Sequence, residues 1–515
     1  MNPNLASGAA TTPTVDLLVI GGGINGAGVA RDAVGRGLSV VLCEKGDLGE
    51  GTSSRSGKYI HGGLRYLEYY EFRLVREALI EREVLMRMAP HLIFPMRLVI
   101  THNQGLRPAW MLRAGLFLYD HLGGREMLPG TRSVHLRNDP VGQALQPQYD
   151  KAFEYSDCWV DDARLVLFNA LDAAEQGAQV HTRTAFTAAR REGELWLAEL
   201  TDQRSGAKKV VRARALVNCA GPWVEQALGR IDGVRSNKRV RLVKGSHIIV
   251  KKFWEGPQAY VIQHTDRRIL FVNPYMDDLA LIGTTDIPYE GDPADVRADA
   301  DEIRYICAAM NAYFRHQITP EQILEAYSGV RPLYEDEAEN PSAVTRDYEF
   351  ELDGHAGQPV ALNVYGGKIT TYRKLAEHAL EKLRPWFPQM GPVWSGTRPL
   401  PGGDMASADF DAYFAQLKRD HPRLPEPLLL HHARLYGTRA PRVLGGARSV
   451  GDLGQHFGAN CHERELAYLC DQEWAESVED LLWRRTKHRL RLSTEQQADV
   501  ASWLARRRVS ADQAA

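Results

Sequence analysis

The sequence predicts an α/β protein in three parts: a dinucleotide-binding unit, a second region built on an antiparallel sheet, and a helical C-terminal cap. Three observations predict this. A glycine signature lies between an apolar run and a helix-compatible stretch within residues 15–45. The segments LWLAEL, ALVNCA, HIIVKK, RILFVNP and ALIGTT alternate as the strands of a second sheet would. Beyond a Pro/Gly-rich break at 397–404, DFDAYFAQLKRDH, HERELAYLCDQEW, SVEDLLWRRTKHRLRL and TEQQADVASWLARRRV repeat apolar residues at helical spacing. The expected parts are 15–90, 150–240 and 355–395 for the nucleotide unit, 91–149 and 241–354 for the second region, and 396–515 for the cap.

The first element opens with Val15–Ile20, an apolar run that reads as a buried parallel strand. Gly21, Gly23 and Gly26 then form G-x-G-x-x-G, and a helix carrying Ala27 and Ala30 follows. Backbone N–H groups at that helix start, with Ile24 and Asn25 among them, must approach a pyrophosphate, and a Cβ there blocks the approach. LSVVLCE reads as the next strand and ends at Glu44, where a carboxylate accepts from a ribose hydroxyl. This unit alone does not separate NAD from FAD.

Two later elements bear on that choice. Ala215–Cys219 runs into Ala220-Gly221-Pro222, small residues against which a cofactor can lie. LNVY meets Gly366-Gly367 and then a long amphipathic helix, with Thr370 and Thr371 placed to cap its first turn. Such a helix N-terminus favours negative charge, as on a reduced flavin ring. Three widely separated cofactor elements in one chain favour FAD over NAD.

The chain has 515 residues and a formal charge of −2 from 63 basic and 65 acidic residues. That balance argues against a nucleic-acid partner and requires any anion site to be local. The six cysteines show no C-x-x-C pair and no zinc spacing, and predict reduced core thiols in a cytosolic protein. No metal site is expected. Residues 1–14 lack the basic and apolar regions of a signal peptide and are expected to be a disordered tail. No window offers a membrane-spanning apolar run.

IGGGINGAG, IHGGLRYLE, EYSDCWVDDARLV, VNCAGPWV, LIGTTD, YSGVRPL and GGKITTYRKLAEHAL together resemble the FAD-dependent glycerol-3-phosphate dehydrogenases, from about Asp16 to residue 508. The resemblance implies a glutathione-reductase-like FAD-binding domain, an antiparallel-sheet substrate-binding domain and a helical C-terminal cap. It implies oxidation of sn-glycerol 3-phosphate to dihydroxyacetone phosphate by hydride transfer from C2 to flavin N5, with electrons passed to a membrane quinone. One departure is visible. Arg55 and Gly57 interrupt a serine-rich run, while Thr52, Ser53, Ser54 and Lys58 remain as expected flavin contacts.

Holding a phosphorylated triol over a neutral one needs converging cations. Arg65 follows the His61-Gly62-Gly63 turn, Arg331 precedes Pro332, and Lys368 opens the flavin-edge helix. The resemblance places all three in the substrate pocket, with Tyr66 at the phosphate end. His61 is the expected base for the alcohol proton, and Arg331 the group that steadies the alkoxide, although the roles of Arg331 and Lys368 exchange readily. Gly62 and Gly63 are expected to allow close approach to the flavin. The charges Glu71, Arg73, Arg76, Glu77, Glu81 and Arg82 read as a solvated helix face. Oxygen as acceptor, a D-amino-acid-oxidase-like amine substrate and a non-catalytic scaffold are the competing readings. A quinone acceptor without a spanning segment implies a protein lying on the inner face of the cytoplasmic membrane. Residues 107–125 are the expected anchor, through Trp110, Met111, Leu112, Leu116, Phe117, Leu118 and Tyr119 with Arg107, Arg113 and Arg125. The basic cluster Arg484–Arg491 is expected to add attraction to anionic phospholipid. A homodimer is left open.

Overall fold

The structure is a computed structural model that describes residues 14–102, 108–264, 268–335, 347–355 and 357–514. The expected tail, up to residue 13, and Arg107 lie outside the described residues.

The apolar run at the start of the chain becomes the strand Thr14–Ile20, buried from Leu17 to Ile20. It pairs in parallel with Val40–Cys43 on one side and Lys208–Asn218 on the other. Val360–Gly366 and Gln179–His181 extend the parallel sheet outward. Helices Ile24–Gly35, Asp162–Glu175 and Tyr372–Leu383 cover one face and enclose the largest apolar core. Both faces are covered, so these strands are nearly continuous apolar runs rather than alternating ones.

The second sheet takes its strands from the rest of the chain. Towards one end Val240–Lys251 runs antiparallel to Glu325–Tyr334, and towards the other Ile93–Thr101 pairs with Lys151–Val160. Several expected placements are corrected here. LWLAEL lies in Leu195–Asp202, which pairs with Lys208–Asn218, the strand that holds most of ALVNCA, so both segments belong to the first sheet. Lys151–Val160 and Tyr59–Ile60 belong to the second sheet and Tyr348–Asp353 to the first, so the expected ranges 15–90, 150–240 and 241–354 each misplace a strand. In every case long-range hydrogen bonding decides membership, and local alternation is silent about it.

The helix Phe72–Met88 is not simply a solvated charged face. Glu81 and Arg82 are buried, with Glu81 accepting from Arg373 Nε at 2.8 Å and Arg82 Nη1 donating to Asp157 at 2.7 Å. All six cysteines are free thiols and five are buried.

The cap is helical, with its own apolar core. Its basic cluster is engaged inward, contrary to the expected membrane role. Arg484 and Arg485 both reach the fully buried Asp47, at 2.6 and 2.7 Å. Lys487 pairs with Asp161 at 2.7 Å and Arg489 with Glu325 at 2.8 Å. Arg491 donates to the Met276 carbonyl. These cations fasten the cap to both sheets and leave little charge for lipid headgroups.

Candidate active site

The parallel strands end together, and their C-terminal ends open on a cavity of about 700 Å³ between the two sheets. A crevice at this end of a parallel sheet is where such folds bind ligands.

The glycine turn forms one end. Gly21 takes φ +105°, and a Cβ there would meet the Cys219 carbonyl oxygen at 2.6 Å. Gly23, Ile24 and Asn25 line the cavity, whereas Gly26 lies off it. A Cβ on Gly26 would come within 1.9 Å of the Gly21 carbonyl oxygen, so this glycine serves helix–strand packing. Ile24 N donates to Ser53 Oγ at 3.0 Å, and Asn25 Nδ2 to the Gly366 carbonyl at 3.1 Å. Glu44 lines the cavity and accepts from Gly22 N and Gly46 N at 2.6 and 2.8 Å. Burial raises its pKa, and those two N–H groups oppose the rise.

The loop after Glu44 crosses to the second sheet. Thr52 Oγ1 donates to the Val330 carbonyl at 2.5 Å, Arg55 Nη1 to the Ser328 carbonyl at 3.2 Å, and Tyr327 OH to the Ser56 carbonyl at 2.9 Å. Thr52, Ser53 and Arg55 line the cavity. Ser54 and Lys58 do not. Lys58 Nζ sits 2.7 Å from the fully buried Asp162 and donates to the Ser54 carbonyl at 2.8 Å, which anchors the loop from behind.

The next turn carries His61 and Gly63 on the cavity wall and Gly62 behind it. Gly62 N donates to Tyr119 OH at 2.7 Å, and Tyr119 OH donates to Asp157 at 2.7 Å. A Cβ on Gly62 would strike Leu79, so this glycine is required by packing rather than by a flavin. His61 N donates to Thr370 Oγ1 at 3.2 Å, which ties the turn to the third cofactor element. Ala220, Gly221, Gly367, Lys368 and Thr370 line the cavity, and Thr371 is buried away from it. Neither threonine caps the following helix as expected. Ile369–Thr371 forms a short 3-10 turn first, and Thr371, the N-cap, makes no side-chain capping bond.

Arg331, Arg65, Tyr66 and Lys368 all line this one cavity. Lys368 Nζ lies 3.7 Å over the Tyr66 ring, a cation–π contact. Arg331 sits inside the strand Glu325–Tyr334, not at its end. Its guanidinium is held by Asp286, by Thr284 Oγ1 at 3.0 Å and by the Thr285 carbonyl at 3.1 Å. Asp286 and Thr284 were not singled out from sequence, although both fall within LIGTTD. His247 was also missed. It lines the cavity, and burial, with Arg331 and Lys58 nearby, pushes its pKa down to about 3, so it is neutral at pH 7. Only the strand alternation of HIIVKK pointed towards it.

The cavity suits a flavin dinucleotide. Gly21, Gly23, Gly221 and Gly367 present bare backbone on the wall, and Asn25 Oδ1 is buried on it without a hydrogen-bond partner. Arg65, Arg331 and Lys368 share the same space with His61, which suits a dianion next to a proton acceptor.

A family model described as FAD dependent oxidoreductase matches residues 16–373, and one described as the C-terminal domain of alpha-glycerophosphate oxidase matches 395–507. The chain is 57% identical to the D-erythritol 1-phosphate dehydrogenase of Brucella abortus, covering 95% of this chain and 97% of that one. It is 52% identical to the aerobic glycerol-3-phosphate dehydrogenase of Escherichia coli, with the same two coverages. The crystal structure of the glycerol-3-phosphate dehydrogenase of Bacillus halodurans complexed with FAD superposes with a TM-score of 0.74 at 25% identity, covering 92% of this chain and 86% of that one. With the cofactor cradle, these matches make the chain a member of the FAD-dependent oxidoreductase family.

Proposed function

We propose that the enzyme oxidises the secondary alcohol of sn-glycerol 3-phosphate to dihydroxyacetone phosphate and delivers the electrons to a membrane quinone. The observation that carries this reading is the meeting of Arg65, Arg331 and Lys368 with His61 in one cavity. Bound FAD supplies the hydride acceptor. Arg65 and Lys368 hold the phosphate, and the Lys368–Tyr66 contact fixes that ammonium. Arg331, its fork oriented by Asp286 and Thr284, faces the developing alkoxide. His61 takes the hydroxyl proton.

A second reading is a four-carbon polyol phosphate, favoured by the 57% identical relative and by Gly57. A Cβ at position 57 would stand 3.5 Å from His247 Nε2, so a serine there would fill space that glycine leaves open beside a neutral imidazole. Anaerobic bleaching of the bound flavin tests both readings. Glycerol 3-phosphate should bleach it, and glycerol and D-alanine should not. Faster bleaching by erythritol 1-phosphate favours the second reading, and Gly57→Ser should then move the preference back by about tenfold or more. Bleaching by D-alanine alone would reject both.

Among the described residues no helix is long and apolar enough to cross a membrane. The helix Ala109–His121 exposes Trp110, Met111, Phe117 and Leu118, with Trp110 at 71%. Leu116 and Tyr119, expected on the same surface, instead face inward, and Leu112 lines the cavity. One helix thus joins an apolar surface to the flavin cavity, which supports a protein resting on the inner face of the cytoplasmic membrane and a quinone entering from it. Trp110→Ser/Phe117→Ser should release the protein from anionic liposomes and lower quinone reduction more than dye reduction. Unchanged flotation would reject this anchor.

A further inference from the structure

Far from the flavin cavity, the cap buries an unusual polar cluster. The helix Glu426–Tyr436 supplies His431, His432 and Tyr436, and Glu465 stands in the first turn of Glu463–Gln472. Glu465 is 1% exposed and His432 is 1% exposed. Glu465 Oε1 lies 2.7 Å from His431 Nε2 and accepts from Tyr436 OH at 2.8 Å, while Oε2 lies 3.0 Å from His488 Nε2. His432 turns Nδ1 towards the same Oε1 at 3.8 Å, beyond hydrogen-bond reach, and both of its ring nitrogens are buried without partners. Donor atoms of His431, His432 and Glu465 all lie within 4.8 Å of one another.

A buried imidazole with neither nitrogen paired is costly, and its orientation towards a carboxylate it does not touch needs a reason.

We propose that His431, His432 and Glu465 form a binding site for a divalent transition-metal ion, with zinc as the best fit to two nitrogens and one oxygen. Two ligands on one tetrahedral zinc stand about 3.4 Å apart, from bonds of about 2.0–2.1 Å. The His431 and His432 separations from Oε1, 2.7 and 3.8 Å, bracket that value, and the three donor atoms, all within 4.8 Å of one another, need a contraction to come into register. Tyr436 and His488 supply the outer contacts that orient the carboxylate. His431, at 14% side-chain exposure, gives the ion a path inward and leaves a fourth position for water. The ion would clamp the two helices together, remote from the reacting atoms.

The test uses untagged, full-length, FAD-loaded protein, stripped with a chelator, dialysed and titrated with Zn²⁺ and then Co²⁺. Wild type should bind one ion per chain and show the visible bands of a four-coordinate Co²⁺ site. Saturating Zn²⁺ should raise its unfolding temperature by about 5 °C. His432→Phe, which keeps the ring volume, and the isosteric Glu465→Gln should each abolish the uptake and the shift while retaining flavin. If His432→Phe fails to fold, Glu465→Gln and His431→Asn decide. Wild type that takes up no ion, or variants that take up as much as wild type, would overturn the site and leave a hydrogen-bonded cluster only.

Discussion

Two sets of cations serve opposite ends in this molecule. Arg484, Arg485 and Lys487 are neighbours in sequence, yet each is buried against an acid from another part of the chain. Arg65, Arg331 and Lys368 come from distant segments, yet they line one cavity. The cap cluster holds structure together because Asp47 and Asp161 wait for it. The cavity set can act on a ligand because its holders, Asp286, Thr284 and the Tyr66 ring, orient the cations without closing the cavity. Density of positive charge along a sequence therefore says little about where an anion binds.

The sharpest way to break this contrast is Asp47→Ala. It removes the carboxylate that two buried guanidinium groups share, leaving Arg484 to Asp480 and Arg485 to the Glu473 carbonyl, and should cost about 3–5 kcal/mol of stability, with KM unchanged in the protein that remains folded. Urea unfolding of the holoprotein measures it, and an unmoved midpoint would mean that the cap is held by its apolar core alone. Arg65→Ala should do the reverse. Loss of a charge-assisted contact of about 2–3 kcal/mol lowers kcat/KM by about 30- to 150-fold at an unchanged unfolding midpoint. His61→Ala should instead slow flavin reduction with little change in KM, which separates binding from proton transfer.

The smallest expected effect is in pH dependence. Burial pushes Asp480 up, but Arg484 and Arg183 outweigh it and hold its pKa down to about 2. Its folded value lies below the ordinary value of about 3.9, so its stabilisation is complete above that value and is lost as pH falls from about 4 to 2. Wild type should lose about 2 kcal/mol more across that window than Asp480→Asn, which starts lower at pH 7. Equal slopes in thermal melts would remove Asp480 from the fastening.

The parts legible in sequence share a cause. Gly21, Gly23 and Gly367 could be read because their spacing beside a strand and a helix start is itself a local signature. Arg331 and Lys368 could be read because each adjoins such a turn or a strand with its own signature. What stayed hidden was pairing. Nothing near Lys58 announces Asp162, and nothing near Arg485 announces Asp47, because those contacts form only after distant segments have packed. Gly26 and Gly62 were legible as required glycines but not in what requires them, since a ligand, a backbone carbonyl and a neighbouring side chain exclude a Cβ equally well.

The cavity of about 700 Å³ lies on a seam, with one wall from each sheet and a loop stitched across it at Thr52, Arg55 and Ser56. Its occupant is therefore also mortar. A flavin that binds the folded chain and not the unfolded one stabilises it by mass action, so protein stripped of FAD should unfold at a lower temperature than the same protein reconstituted with it.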